Sequence, residues 1–192
     1  MKHVLQIISE IFLILFYPIS SLIANLIPKN KLEGKIRASG AKNVALKVII
    51  AACLTDEKVT IKNIPLISDV FVMLELVREI GGTYTISDHS VTIHVPQITN
   101  TSISLEAGAK TKTSSMFLAP LLARTRKAKI PNPGGCRIGA RPIDRHIQGL
   151  EKMGATIGYH SEDGYFTAST EGLTGCVYEF DKNTHTGTET LI

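Results

Sequence analysis

The sequence predicts an α+β domain assembled from copies of one unit. Two observations carry this reading: the order strand, helix, hairpin recurs at a period of about 70 residues, and a third copy opens at Thr184-His185-Thr186-Gly187-Thr188-Glu189-Thr190-Leu191-Ile192. Such a period is too long for a solenoid module and suits a domain made of several α+β units. The third copy stops within what should be its first helix, so the chain reads as truncated there. A helix needs more than a turn to offset its nucleation cost, and this end is expected to be poorly anchored unless more sequence follows.

Residues 1–28 differ in character from the rest. Lys2 and His3 precede the apolar run Ile11–Tyr17, which is interrupted around it by Gln6, Glu10, Pro18, Ser20, Ser21 and Asn25. A spanning helix needs roughly 20 mainly apolar residues. An interfacial helix, a cleaved segment and a mis-assigned start therefore stand beside an anchor as readings, and any membrane contact is expected through residues 1–28 only. The domain proper is expected over 32–192. Leu32–Ser39 reads as a short strand, and Gly40-Ala41-Lys42-Asn43 as a turn opening the apolar helix Val44–Leu54.

In the first full unit, Lys58–Pro65 is a strand ending in Asn-x-Pro and Asp69–Ile80 an amphipathic helix closed by Gly81-Gly82. Thr83–Ile86 and Val91–Val95 form its hairpin. The second unit repeats this order after a helix at Thr113–Arg124. Strand Lys127–Ile130 ends in Pro131-Asn132-Pro133, helix Ile143–Met153 is closed by Gly154, and strands Ala155–Tyr159 and Tyr165–Ser169 flank Glu162-Asp163-Gly164. Cys53, in an apolar run, and Cys176, in the strand-like Gly175-Cys176-Val177-Tyr178, are both expected in the core.

With 192 residues the chain can bury a real core. Three cysteines without a Cys-x-x-Cys pair argue for a reducing, cytoplasmic compartment and against a structural zinc site. The six histidines lack His-Glu-x-x-His or other ligand spacing, so neither a metal nor a cofactor is expected. A net charge of +4 suits an anionic partner, but the basic residues are scattered and no aromatics alternate with them. Nucleic acid is thereby disfavoured, and a small anionic substrate fits better.

The chemistry concentrates where the two units differ. The first connects strand to helix through the ordinary Pro65-Leu66-Ile67-Ser68, the second through Pro133-Gly134-Gly135-Cys136-Arg137-Ile138-Gly139-Ala140-Arg141-Pro142-Ile143-Asp144. Its glycines allow the backbone to approach a ligand closely, so its N–H groups can face an anion. Arg137 and Arg141 add positive charge, which lowers a thiol pKa from about 8.5 and makes Cys136 a candidate thiolate or proton donor. A surface turn with an incidental cysteine is the plain alternative. Lys42 is a second candidate: a lysine in the first helical turn is unfavourable for the helix dipole yet makes an anion site.

Together these stretches resemble those of the UDP-N-acetylglucosamine 1-carboxyvinyltransferase family of enolpyruvyl transferases. The resemblance rests on Ser39-Gly40-Ala41-Lys42-Asn43, Pro120-Leu121-Leu122-Ala123-Arg124, Pro133–Asp144 and Thr186-Gly187-Thr188-Glu189, in the family's order, and covers Leu32–Ile192. It implies an inside-out α/β barrel of repeated βα units, with the active site between two such domains and the second domain missing here. It also implies transfer of enolpyruvate from phosphoenolpyruvate to the 3′-hydroxyl of UDP-N-acetylglucosamine, the committed step of peptidoglycan synthesis. By that resemblance Cys136 is the acid; Lys42, Lys112 and Arg141 contact phosphoenolpyruvate; and Asn43 contacts the sugar nucleotide. Arg141, Pro142, Ile143, Asp144 and Arg145 hold uridine, while Lys182, Asn183, Thr184, His185 and Thr186 lie near the diphosphate. Lys112 stands where the family commonly has an arginine, keeping the charge but losing the bidentate fork.

The general base and a further arginine come from the family's second domain, so the chain alone is expected to bind parts of the sugar nucleotide without turnover. A non-catalytic sugar-nucleotide module is the alternative. The cysteine loop favours this family over the related shikimate-pathway transferase. An unrelated cysteine-nucleophile enzyme would need a histidine base; His146 sits instead on a helix start with Ile143, Ile147 and Leu150, as a packing or uridine-side residue.

Overall fold

The computed structural model describes residues 33–133 and 142–192. By its contacts the chain divides into Met1–Ala38 and Ser39–Ile192, and the elements below all belong to the second. Helix α1 (Lys42–Ala51) continues as a 3₁₀ turn over Ala52–Leu54 and buries Ala45, Leu46, Ile49, Ile50 and Cys53. Strand β1 (Lys58–Ile61), helix α2 (Ser68–Glu79) and the hairpin β2 (Thr83–Ser87) and β3 (Ser90–His94) complete the first unit. β3 lies between β1 and β2 and is antiparallel to both, with Ile93 opposite Val59 on one side and Tyr84 on the other.

The second unit follows the same plan. A 3₁₀ segment (Lys112–Phe117) and α4 (Leu118–Thr125) lead to β4 (Lys127–Pro131), α5 (Asp144–Lys152), β5 (Ala155–His160) and β6 (Tyr165–Thr170). β6 lies between β4 and β5, again antiparallel to each, so both sheets repeat the order outer, last, middle. Helix α6 (His185–Leu191) starts a third unit. The helices α1 and α4 that open the two units contribute Ile49, Leu118, Leu121 and Leu122 to one shared core, with the 3₁₀ segment adding Phe117 and α2 adding Met73, Leu74 and Val77.

The two outer helices end alike. Gly81 and Gly154 take φ values of +100° and +99°, and their N–H groups bond back to the carbonyls of Arg78 and Glu151. A left-handed residue after a helix is where glycine avoids a Cβ clash. This shared ending sends each outer helix directly into its hairpin.

Four sequence expectations differ from the structure. Glu33–Ser39 is exposed and without regular structure rather than a strand, and no strand ladder among the described residues includes it. The helix expected over Thr113–Arg124 breaks into a 3₁₀ half and an α half. Pro120 lacks an N–H and would clash with the carbonyl of Met116 in a continuous α-helix, whereas the first turn of α4 accommodates it. The hydroxyls of Ser114 and Ser115 meanwhile bond back to the carbonyls of Thr111 and Lys112.

Cys176 is exposed in an irregular stretch, not in the core, while Cys53 is fully buried as expected. The chain end is not loosely held: Thr190 is buried, Glu189 pairs with Lys47 at 2.9 Å, and Leu191 packs against Gly149. A short helix, α3 (Leu105–Gly108), capped by the Ser104 hydroxyl, carries no periodic signal because it spans about one turn.

Candidate functional site

The first turn of α5 and the segment leading into α6 form one polar cluster. Asp144 opens α5 and faces solvent, Ile143 is buried beneath it, and Pro142 is exposed. Arg145 donates from Nε to Asp181 Oδ1 at 2.9 Å and from Nη2 to Oδ2 at 3.4 Å. This fork holds the Asp181 carboxyl below its usual pKa and raises the Arg145 guanidinium. Lys182 and Asn183 follow directly and are exposed. The Thr184 hydroxyl caps α6 by accepting from the Gly187 N–H at 3.1 Å. His185 faces solvent, and Thr186 turns inward toward His146.

His146 is the buried centre of this cluster, only 3% exposed. Its Nε2 lies 3.1 Å from Thr186 Oγ1 and its Nδ1 2.9 Å from Thr190 Oγ1. Burial pushes the imidazole pKa down to about 4, helped by Lys112 and opposed by Glu189. A ring that stays neutral near pH 7 is a hydrogen-bonding group rather than a cation there. Lys112, half-buried at the start of its 3₁₀ turn, thus belongs to the same electrostatic neighbourhood.

Lys42 and Asn43 open α1 and are exposed, with no side chain capping that helix. Lys42 Nζ donates to Asp69 Oδ2 at 2.6 Å, so its charge is already met by a carboxylate in the first turn of α2. The structure therefore joins residues 142–145 with 181–186, sets Lys112 near them, and gives Lys42 a separate partner. Cys136 and Arg141 lie outside the described residues.

Gly40, in the same motif as Lys42, has a clear role. A Cβ there would run into the backbone carbonyl oxygen of Asn63 and lie 3.3 Å from the Pro65 ring. Only glycine lets the start of α1 approach the end of the first unit's strand segment so closely.

Sequence reasoning missed Asp69, Asp181 and Thr190. Asp69 was visible as an acidic residue opening a helix, but its pairing with Lys42 joins residues 27 apart and has no local signature. Thr186 and Thr190 are spaced four apart on α6, which puts both hydroxyls on one helix face. An apolar groove of about 170 Å³, lined among others by Ile50, Leu54, Met116, Ala123 and Leu150, borders this cluster through Glu189 and Thr190 but holds none of the sequence-derived site residues. Among the described residues no group of histidine, cysteine and carboxylate side chains could hold a metal ion. Among those residues, too, no helix is long and apolar enough to cross a membrane.

The repeated units define an enolpyruvyl-transferase-like fold. The enolpyruvyl transferase NikO from Streptomyces tendae superposes with a TM-score of 0.64 at 21% identity, over 77% of this chain and 32% of that one. EPSP synthase from Acinetobacter baumannii superposes with a TM-score of 0.63 at 18% identity, over 82% of this chain and 37% of the other. The sequence profile of EPSP synthase, 3-phosphoshikimate 1-carboxyvinyltransferase, matches residues 26–192, and the chain belongs to this family.

Within the family, the chain is 44% identical over 167 residues to a UDP-N-acetylglucosamine 1-carboxyvinyltransferase of Acidobacterium capsulatum, covering 85% of this chain and 38% of that protein. A protein of the same name from Coxiella burnetii is 42% identical over 163 residues, covering 84% of this chain and 37% of its own length. The chain thus spans well under half the length of these relatives.

Proposed function

We propose that this chain supplies the sugar-nucleotide side of a UDP-N-acetylglucosamine 1-carboxyvinyltransferase, an enzyme of peptidoglycan synthesis in the cytoplasm. The observation that carries this is the joining of residues 142–145 to 181–186 through Arg145 and Asp181. Two stretches far apart in sequence, matched separately to uridine and diphosphate contacts, are held together at one place. The names of the relatives, which give UDP-N-acetylglucosamine and transfer of a carboxyvinyl group, support the sugar nucleotide as one substrate.

In this reading Asp144 accepts from the uracil N–H, and Lys182 with Asn183, Thr184, His185 and Thr186 faces the diphosphate. Lys42, Lys112 and Arg141 neutralise the phosphate and carboxylate of phosphoenolpyruvate, and Asn43 contacts the sugar nucleotide. Lys112 acts as a point charge where an arginine would fork. Cys136 donates a proton to the methylene carbon while the sugar 3′-hydroxyl gives its proton to the base that the family's second domain supplies and its oxygen adds to the neighbouring carbon; departure of phosphate and of a proton from the new methyl group leaves the enolpyruvyl ether. Because Asp69 already neutralises Lys42, binding of an anion there exchanges one ion pair for another.

Labelling of Cys136 by fosfomycin, an epoxide that mimics phosphoenolpyruvate, tests the reading by peptide mass spectrometry. Cys136 should label faster when UDP-N-acetylglucosamine is present. Exposed Cys176 serves as the internal control for nonspecific alkylation. Labelling of both cysteines at one rate, unchanged by the sugar nucleotide, would defeat the proposal. Turnover measured on the same sample separates an enzyme from a binding module.

A further inference from the structure

We propose that His146 is a positioning residue that holds the amino end of α6 against the first turn of α5 through one neutral tautomer. The hydrogen bonds leave a single consistent assignment. Thr190 Oγ1 has one hydrogen, which it donates to the carbonyl oxygen of Thr186 at 2.8 Å. The contact of 2.9 Å between Thr190 Oγ1 and His146 Nδ1 must then run the other way, with Nδ1–H donating. A neutral ring protonated on Nδ1 has a bare Nε2, which accepts from the Thr186 hydroxyl at 3.1 Å. The hydroxyls of Thr186 and Thr190 and both ring nitrogens are thereby used.

The consequence lies in what this hub joins. Arg145 ties the residue just before Lys182, and His146 ties Thr186, so the segment 182–186 is pinned at both ends by consecutive residues of α5. Lys112 from the 3₁₀ turn and Glu189 from α6 both act electrostatically on the ring, and Glu189 is itself paired with Lys47 of α1. A proton added at Nε2 would require the Thr186 hydroxyl to turn and accept, against the repulsion of the Lys112 charge. The neutral tautomer thus fixes the direction of the Thr186 hydroxyl as well as its position. This inference rests on the proposed sugar-nucleotide site: pinning 182–186 matters for ligand binding only if that segment faces the diphosphate.

The test compares UDP with uridine, which lacks the diphosphate, on the full chain and on two variants. Thr190→Val removes the acceptor of Nδ1–H with little change of shape, and His146→Leu removes the ring. Imidazole ¹⁵N shifts of the full chain should show Nδ1 protonated and Nε2 bare at pH 7. Each variant should lose about tenfold in UDP affinity, the scale of one or two buried hydrogen bonds, while uridine affinity stays unchanged.

An Nε2-protonated ring in wild type overturns the assignment, even if UDP binds well. Equal losses for UDP and uridine, or none for UDP in Thr190→Val, overturn the positioning role alone. Wild-type protein that binds neither ligand removes the sugar-nucleotide reading and, with it, the role given to His146. Thr190→Val keeps the test decisive should His146→Leu fail to fold.

Discussion

Replacing Arg124 by alanine should destabilise the fold by about 3 kcal/mol. Its Nη1 donates to the carbonyl oxygens of Cys53, Thr55 and Val95 at 3.2, 3.1 and 2.7 Å, and its Nη2 to that of Pro96 at 3.1 Å. Hydrogen bonds from a charged donor contribute about 1.5–3 kcal/mol each. Nη1 has only two hydrogens for its three acceptors, and the Pro96 contact is solvent-exposed, so the four do not add. Counting the short bond to Val95 fully and the rest at a fraction leads to about 2–4 kcal/mol. Arg124→Lys should recover less than half, because an ammonium cannot reproduce the planar fork. Urea unfolding followed by far-ultraviolet circular dichroism measures both. A loss below about 1 kcal/mol, or full rescue by lysine, would refute the idea that this fork fastens α4 to the end of the first unit.

Stability should also depend on pH through His146. The unfolded imidazole binds a proton near 6.5 and the folded one only near 4, so between those values the unfolded state holds more protons. The contribution, about 3 kcal/mol, is present in full above pH 6.5 and is lost as the pH falls toward 4. His146→Gln should flatten the urea midpoint over that window, and equal slopes for the two proteins would refute the linkage. Cys53, its thiol pushed up to about 12 by burial despite Arg124, should resist iodoacetamide at pH 8 in folded protein while Cys176 reacts; peptide mapping checks the contrast. Gly40→Ala should cost about 1–3 kcal/mol by forcing α1 away from the Asn63 carbonyl, read as a lowered melting temperature. Arg126 ends α4 at φ +61°, so Arg126→Gly should leave stability unchanged or raise it by up to about 1 kcal/mol in the same melt.

Periodicity made the repeat legible because each unit buries one face of every helix and strand, and burial imposes a spacing on the sequence. The outer helix and hairpin of both units could be placed to within a residue or two for this reason. Apolar spacing reads one helix through Pro120, and the break between the 3₁₀ segment and α4 emerged only in the structure. The motif ending in Arg124 was recognisable from its resemblance, but nothing local shows that its guanidinium reaches carbonyls 28 to 71 residues away.

The sequence by itself determined the repeated α+β unit, the core faces and the candidate loop and lysines. Tertiary structure decided which of those candidates meet. Asp69 reaches Lys42, Asp181 reaches Arg145, and His146 finds two hydroxyls on a helix that begins 39 residues later. Sequence spacing reports the faces of single helices and strands, whereas an ion pair or a tautomer depends on atoms brought together only when those elements pack. For the same reason Cys176 read as a core strand and emerged exposed: a β-branched neighbour favours extension, but only a paired partner makes a strand.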